Sequence, residues 1–235
     1  MNAKNYGMTL KIGAAWIMML ILLGAVVVQA QDPAQLKEMF ARSQQQNAEA
    51  LKQYTWKSRY EVKKNGESKA TKLYLMRYDA YGNIQQNQIG GSAPPDMPKG
   101  PLMRRIAEKK KEDFVELMND LREQVKAYSH LSPEKMQAFL ANATITAKVD
   151  QSIVQIKGGS ILQPGDSMTI WLDVKTRRQR RVEIGTFLEK NAARAVIEFR
   201  DLPGGPTYMA RTVVDYPKDS LQLITENFDY QLERR

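Results

Sequence analysis

From residue 144 to residue 232 the chain is a nearly unbroken series of short alternating apolar and polar runs divided by turn residues, which confines this stretch to antiparallel β-structure. The runs are Ile145/Ala147/Val149, Ile153 to Lys157, Met168/Ile170/Leu172/Val174, Arg180/Val182/Ile184, Ile197/Phe199, Tyr208/Val214 and Leu221 to Tyr230. Gly158-Gly159, Pro164-Gly165, Glu189-Lys190-Asn191 and Pro203-Gly204-Gly205-Pro206 punctuate them. A smaller β group comes earlier. Tyr54, Trp56, Ser58, Tyr60 and Val62 alternate with Thr55, Lys57, Arg59, Glu61 and Lys63, the pattern of a half-buried strand. Asn65-Gly66 supplies the positive φ angles of a two-residue hairpin, the chain returns through Leu73 to Met76, and a weaker strand follows near 84 to 89. The reading is about ten strands in groups of three and seven. No repeat of roughly 20 to 50 residues points to a solenoid or a propeller.

Helical periods fill the intervals. Asp32 and Pro33 suit an N-cap and a first helical residue, and Leu36, Phe40, Asn47 and Leu51 recur at near-helical spacing over 33 to about 52. A Gly- and Pro-rich loop at 90 to 101 fits neither period and reads as a hinge. After it, Leu102, Ile106, Phe114, Leu117, Met118, Leu121, Val125 and Tyr128 form a helical stripe, interrupted by the charged run at 109 to 113. Ser132-Pro133 then caps a shorter helix carrying Met136, Phe139 and Leu140.

The first thirty residues read as a secretory signal, with Lys4 and Lys11 ahead of the uncharged run Ala14 to Val28 and small residues at Val28 and Ala30 for cleavage after Ala30. That run of about fifteen residues is short of the roughly twenty that span a bilayer, and an uncleaved N-terminal anchor is the alternative. The expected mature chain, 31 to 235, is one domain. The formal net charge of +9 includes Lys4 and Lys11, so the mature chain stays basic. The absence of cysteine excludes disulfides, a thiolate nucleophile, a thiolate metal site and acylation at an N-terminal cysteine. The expected location is the periplasm.

A helix, three strands, a helical pair and a long meander is an order similar to that of the outer-membrane lipoprotein carrier and receptor (LolA/LolB-like) superfamily. Residues 53 to 62, QYTWKSRYEV, resemble its first strand, and residues 168 to 184, MTIWLDVKTRRQRRVEI, resemble a strand pair in which Trp and Asp precede a turn and a basic stretch. The resemblance implies an α+β fold: a curved antiparallel sheet of about ten strands forming an unclosed half-barrel, with an N-terminal helix and a two-helix lid over about 101 to 142. It also implies a hydrophobic cavity that takes acyl chains, and a lid-fastening arginine for which Arg59 is the candidate by position. Arg59, however, alternates with Lys57 and Lys63 on the polar face. Methionines at 76, 103, 118, 168 and 209 suit a cavity that accepts chains of varied shape, and equally suit an ordinary core.

Little in the chain supports catalysis. His130 is the only histidine and sits between the two helices, which leaves no material for a Ser-His triad or a multi-histidine metal site. No GxSxG, HExxH, GxxxxGK[ST] or GxGxxG occurs, and adjacent carboxylates such as Glu112-Asp113 point in different directions on a helix. The strongest charge feature is Arg177, Arg178, Arg180 and Arg181. On a strand Arg177 and Arg181 face one side while Arg178 and Arg180 face the other, so the cluster reads either as a solvated strand edge or as a site for anionic lipid head groups or a surface polymer. Asn142-Ala143-Thr144 matches a glycosylation sequon, which matters only in a eukaryotic secretory route.

The functional expectation is a periplasmic, non-enzymatic protein that binds acyl chains, lipoproteins or similar amphiphiles and carries them between membranes, with no cofactor, metal or nucleic acid. An anionic membrane surface and an envelope protein are the other expected partners. The cavity side is expected to hold Trp56, Tyr60, Met76, Ile170, Leu172, Ile184, Ile197, Phe199 and Tyr208, with Met103, Phe114 and Met118 on the lid. The alternative is an envelope sensor or interaction domain whose cavity is filled by its own side chains.

Overall fold

Alternation and turn chemistry produce a single ten-stranded antiparallel sheet. The computed structural model describes residues 42–43, 45–92, 101–129, 131–147 and 152–233; of residues 101–104, 106, 107, 110, 111, 129, 133 and 147 only the backbone is described. The signal segment and its anchor alternative, the expected helix start at 33, most of the hinge loop, His130 and the side chain of Met103 lie outside the described residues. What is described belongs to one compact unit, Lys37–Arg235. Among the described residues, no helix is long and apolar enough to cross a membrane.

The strands are β1 (Tyr54–Lys64), β2 (Glu67–Tyr78), β3 (Ile84–Gly91), β4 (Thr144–Ala147), β5 (Ile153–Gly159), β6 (Ser167–Asp173), β7 (Arg178–Leu188), β8 (Asn191–Asp201), β9 (Thr207–Tyr216) and β10 (Leu221–Leu232). Their order in the sheet is β3-β2-β1-β10-β9-β8-β7-β6-β5-β4. Every neighbour is thus consecutive in the chain except at β1–β10, where the two groups are joined. β3 and β4 are unpaired edges, so the sheet does not close. Register shifts at Thr55/Lys57, Val62/Lys63, Leu73/Tyr74, Trp171/Leu172 and Glu198/Phe199 mark bulges, which bend a strand and increase its twist. The β1–β2 turn holds Asn65 and Gly66 at φ 53° and 79°, the left-handed pair that this hairpin requires.

One face of the sheet carries the helices. Helix α1 is described over 42–43 and 45–51. Helix α2 (Pro101–Ser129) buries Met118, Leu121, Val125 and Tyr128, residues three or four apart that form one stripe. Helix α3 (Pro133–Asn142) begins at Ser132, whose hydroxyl accepts from the Lys135 N–H at 3.3 Å, with Pro133 in the first turn. Its Phe139 lies on β5 where Gly158 has no side chain: a Cβ there would be 2.8 Å from the ring. The stripes meet Met168, Ile170, Val182, Ile184, Ala195, Ile197, Val214, Tyr216 and Leu223 in one core.

The opposite face is polar and cross-strand paired. Arg59 on β1 meets Glu226 on β10, which also meets Arg211 on β9 at 3.4 Å. Arg181 on β7 bridges to Glu198 on β8 at 3.2 Å and to Glu183 at 2.8 Å, and Glu183 binds Arg194 at 3.0 Å. Arg59 therefore faces away from the helices, as its alternation implied, and is not a lid fastener.

Candidate functional site

A cavity of about 920 Å³ lies between α1, the helical side of β6 to β9, and the ends of α2 and α3. Its inner wall is apolar: Met168 and Ile170 from β6, Val182 and Ile184 from β7, Ile197 and Phe199 from β8. These side chains share one face because they alternate with Thr169, Trp171, Glu183 and Glu198. Tyr128 of α2 and Met136 of α3 close one end. The other end is polar, with Ser43, Gln46 and Asn47 of α1 facing the β6–β7 turn at Thr176 to Gln179 and the β8–β9 turn at Gly204 to Thr207.

Two hydrogen-bond arrangements set this geometry. At the α1 end, the Asn47 amide pairs with one backbone unit: its Nδ2 donates to the Thr207 carbonyl at 2.7 Å and its Oδ1 accepts from the Thr207 N–H at 2.6 Å. The Ser43 hydroxyl donates to the Arg177 carbonyl at 3.4 Å. Helix α1 thereby bridges both turns across the cavity mouth.

At the α2 end, the Tyr128 hydroxyl donates to Asp166 Oδ2 at 2.7 Å and lies 2.8 Å from Thr186 Oγ1. Asp166 also accepts from the N–H groups of Ile161, Leu162 and Gln163 at 2.6, 2.8 and 2.9 Å. Gln124 and Gln163 both donate to Thr186 Oγ1, at 3.0 and 2.7 Å. α2 is thus tied to the β5–β6 loop and to β7 by buried polar groups that satisfy one another. Burial works to raise the Asp166 pKa, but the three backbone donors and Tyr128 outweigh it and hold the carboxyl below the usual carboxylate value. Burial first, then the Asp166 charge, push the Tyr128 hydroxyl up to about 12.

The structure distributes the expected cavity residues over three places. Ile170, Ile184, Ile197 and Phe199 line the cavity, the three isoleucines as buried members of the core that forms its wall. Leu172, Met118 and Phe114 lie in or against packed hydrophobic surface, with Leu172 and Met118 buried and Phe114 partly buried. Trp56, Tyr60, Met76 and Tyr208 do not line the cavity, although their neighbours Tyr54 on β1, Tyr78 on β2 and Thr207 and Met209 on β9 do. Trp56 stacks on Tyr230 with centroids 5.5 Å apart, Tyr208 meets Tyr230 at 4.3 Å, and Met76 pairs opposite Trp56. Tyr60 packs edge-on to Tyr74 at 5.4 Å, beneath the Arg122 guanidinium. Trp56 is held off by packing, because Tyr78, which lines the cavity, lies 5.3 Å from its ring and Tyr230 stacks on it.

The four arginines also divide. Arg181 lies on the polar face over the Trp171 ring at 5.8 Å. Arg180 binds Asp201 at 2.6 Å and Asp173 at 3.1 Å, and Arg178 binds Asp201 at 3.1 Å. Arg177 sits in the turn before β7, not on the strand, and lines the cavity mouth with Arg178.

Met168 and Met209, which the sequence offered only as thioethers suited to a cavity, line it, and sequence reasoning passed over Val182, which shares the alternation of Ile184 and was open to it. It also passed over Asn47, Tyr128 and Asp166, whose partners are long-range and leave no local signature. Among the described residues, no group of three His, Asp or Glu is placed to hold a metal ion.

No family profile and no curated protein matches the chain. Solved structures to which it is similar include the following three. One is a DUF1329 family protein from Desulfovibrio piger, at 8% identity over 86% of this chain and 94% of that one, TM-score 0.39. Another is an outer membrane lipoprotein-sorting protein domain from Vibrio parahaemolyticus, at 9% identity over the same shares, TM-score 0.41. The third is a LolA superfamily protein from Nitrosomonas europaea, at 9% identity over 82% of this chain and 94% of that one, TM-score 0.33.

Proposed function

We propose that this protein is a periplasmic, non-catalytic binding protein for acyl chains or similar amphiphiles, held in the cavity between the sheet and its helices and carried between membranes. The cavity itself is the supporting observation. At about 920 Å³ it is at the upper end of the roughly 300–1,000 Å³ of small-molecule sites, and an apolar wall of Met, Ile, Val and Phe with a polar mouth matches an amphiphile in cross-section. Met136 and Met168 add side chains that re-pack around chains of different length at little cost.

The test is native mass spectrometry of the exported protein, produced from the full-length chain, followed by organic extraction and lipid analysis. A co-purifying lipid or acylated peptide near one equivalent is the expected result and names the cargo class. A protein that arrives empty and gains no mass from added phospholipid, lysophospholipid or fatty acid refutes the reading and supports an interaction scaffold.

A further inference from the structure

The charges around the cavity are of one sign. Among the described residues that line it, the charged side chains are Arg177 and Arg178, and no carboxylate lines it. Arg178 shares Asp201 with Arg180, which also binds Asp173, so the two carboxylates behind the mouth are already taken up by two guanidinium groups. Arg177 has no ion-pair partner among the described residues. It is exposed in the turn, at the mouth, with Gln179, Gln46 and Thr176 around it. Its φ of 58° is a conformation that glycine adopts at less cost, and the turn is already built by Asp173, whose Oδ1 accepts from the Lys175 and Thr176 N–H groups at 3.0 and 3.1 Å. The turn's own construction does not call for an arginine at that position.

We infer that the mouth selects amphiphiles with an anionic head, a carboxylate or a phosphate, bound by Arg177 beside Arg178 while the chain lies against Ile170, Ile184, Ile197 and Phe199. This rests on the proposed binding of amphiphiles and adds the head-group class. A guanidinium at the rim pairs an oxyanion with two parallel N–H donors, whereas an ammonium head meets only like charge there.

The experiment compares three ligands with one palmitoyl chain each, below their micelle concentrations, by displacement of a fluorescent fatty-acid probe: palmitate, palmitoyl lysophosphatidylglycerol and uncharged monopalmitin. At least one anion is expected to bind about tenfold more tightly than monopalmitin, the worth of one charge-assisted hydrogen bond. Palmitate alone in that position identifies a carboxylate head, and the lysophospholipid alone a phosphate. Arg177→Gly and Arg177→Gln are expected to bring the anions to parity with monopalmitin and leave monopalmitin unchanged. Arg177→Gly should not lower the thermal midpoint, because glycine suits the left-handed turn. Equal binding of all three by the unaltered protein, or a preference that survives both variants, overturns the inference and leaves amphiphile binding standing. Failure of all three to bind overturns both.

Discussion

Truncating Phe199 to alanine should cost less stability than truncating the smaller Leu121, the reverse of the order in a uniformly packed core. Leu121 is 1% exposed and is enclosed between α2 and the sheet. Its loss removes about three buried carbons at roughly 0.8 kcal/mol each. A new void adds to this at about 24 cal/mol per Å³, for a total of about 3–5 kcal/mol. Phe199 is only partly buried, and it lines the cavity. Its removal enlarges a space that already exists, so the void term is small and about half of a phenylalanine's transfer energy remains, about 1–1.5 kcal/mol. Urea unfolding followed by the fluorescence of Trp56 and Trp171 measures both, at constant m-value. A Phe199→Ala cost equal to or above that of Leu121→Ala would show that the space is filled in solution and refute the cavity argument.

Other outcomes follow from the same contacts. Tyr128→Phe removes the donor to Asp166 and should cost about 1.5–3 kcal/mol, read as a lower unfolding midpoint; a change under about 0.5 kcal/mol would mean α2 is held otherwise. Because the folded Asp166 has a depressed pKa, its contribution is complete above the unfolded value near 3.8 and disappears as the pH falls through the lower folded value. The acid limb of a stability profile should therefore flatten in Asp166→Asn. The Tyr128 shift has the opposite sign: its contribution is complete below the unfolded value near 10 and is lost as the pH rises through about 12. Ser58 is fully buried on β1 and its hydroxyl has no hydrogen-bond partner among the described residues, so Ser58→Ala should be neutral or stabilising by about 1–3 kcal/mol, and a clear loss of stability would reveal an unseen partner. Gly158→Ala drives a methyl into the Phe139 ring and should cost about 1–3 kcal/mol; an unchanged midpoint would show that α3 shifts freely.

The strands were legible because a half-buried sheet writes its period directly into the chain. The expected runs at 84–89 and 153–157 fall within β3 and β5, and the hairpin at Asn65-Gly66 stands where its dipeptide placed it. Four of the six apolar wall residues followed from the same rule, since Ile170, Ile184, Ile197 and Phe199 lie on the adjacent strands β6, β7 and β8. Trp56, Met76 and Tyr208 obey the alternation equally well and pack among other side chains instead, whereas Tyr54, Tyr78 and Met209 of the same strands reach the cavity, because period two gives the face of a strand and says nothing of what covers each residue on it.

The amino-acid sequence alone determined the elements, the inward faces and the polar outer surface, since each depends on neighbours one to four residues away. The tertiary structure decided which inward residues surround a cavity and which pack solid. It also decided which arginines are neutralised: Arg178 and Arg180 find Asp201 across the sheet, whereas Arg177 remains at the mouth. Asn47 reaching Thr207 and Tyr128 reaching Asp166 are of the same kind, 160 and 38 residues apart. Such pairs have no local period, because the energy that selects them, desolvation offset by one well-placed partner, exists only after the chain has closed around them.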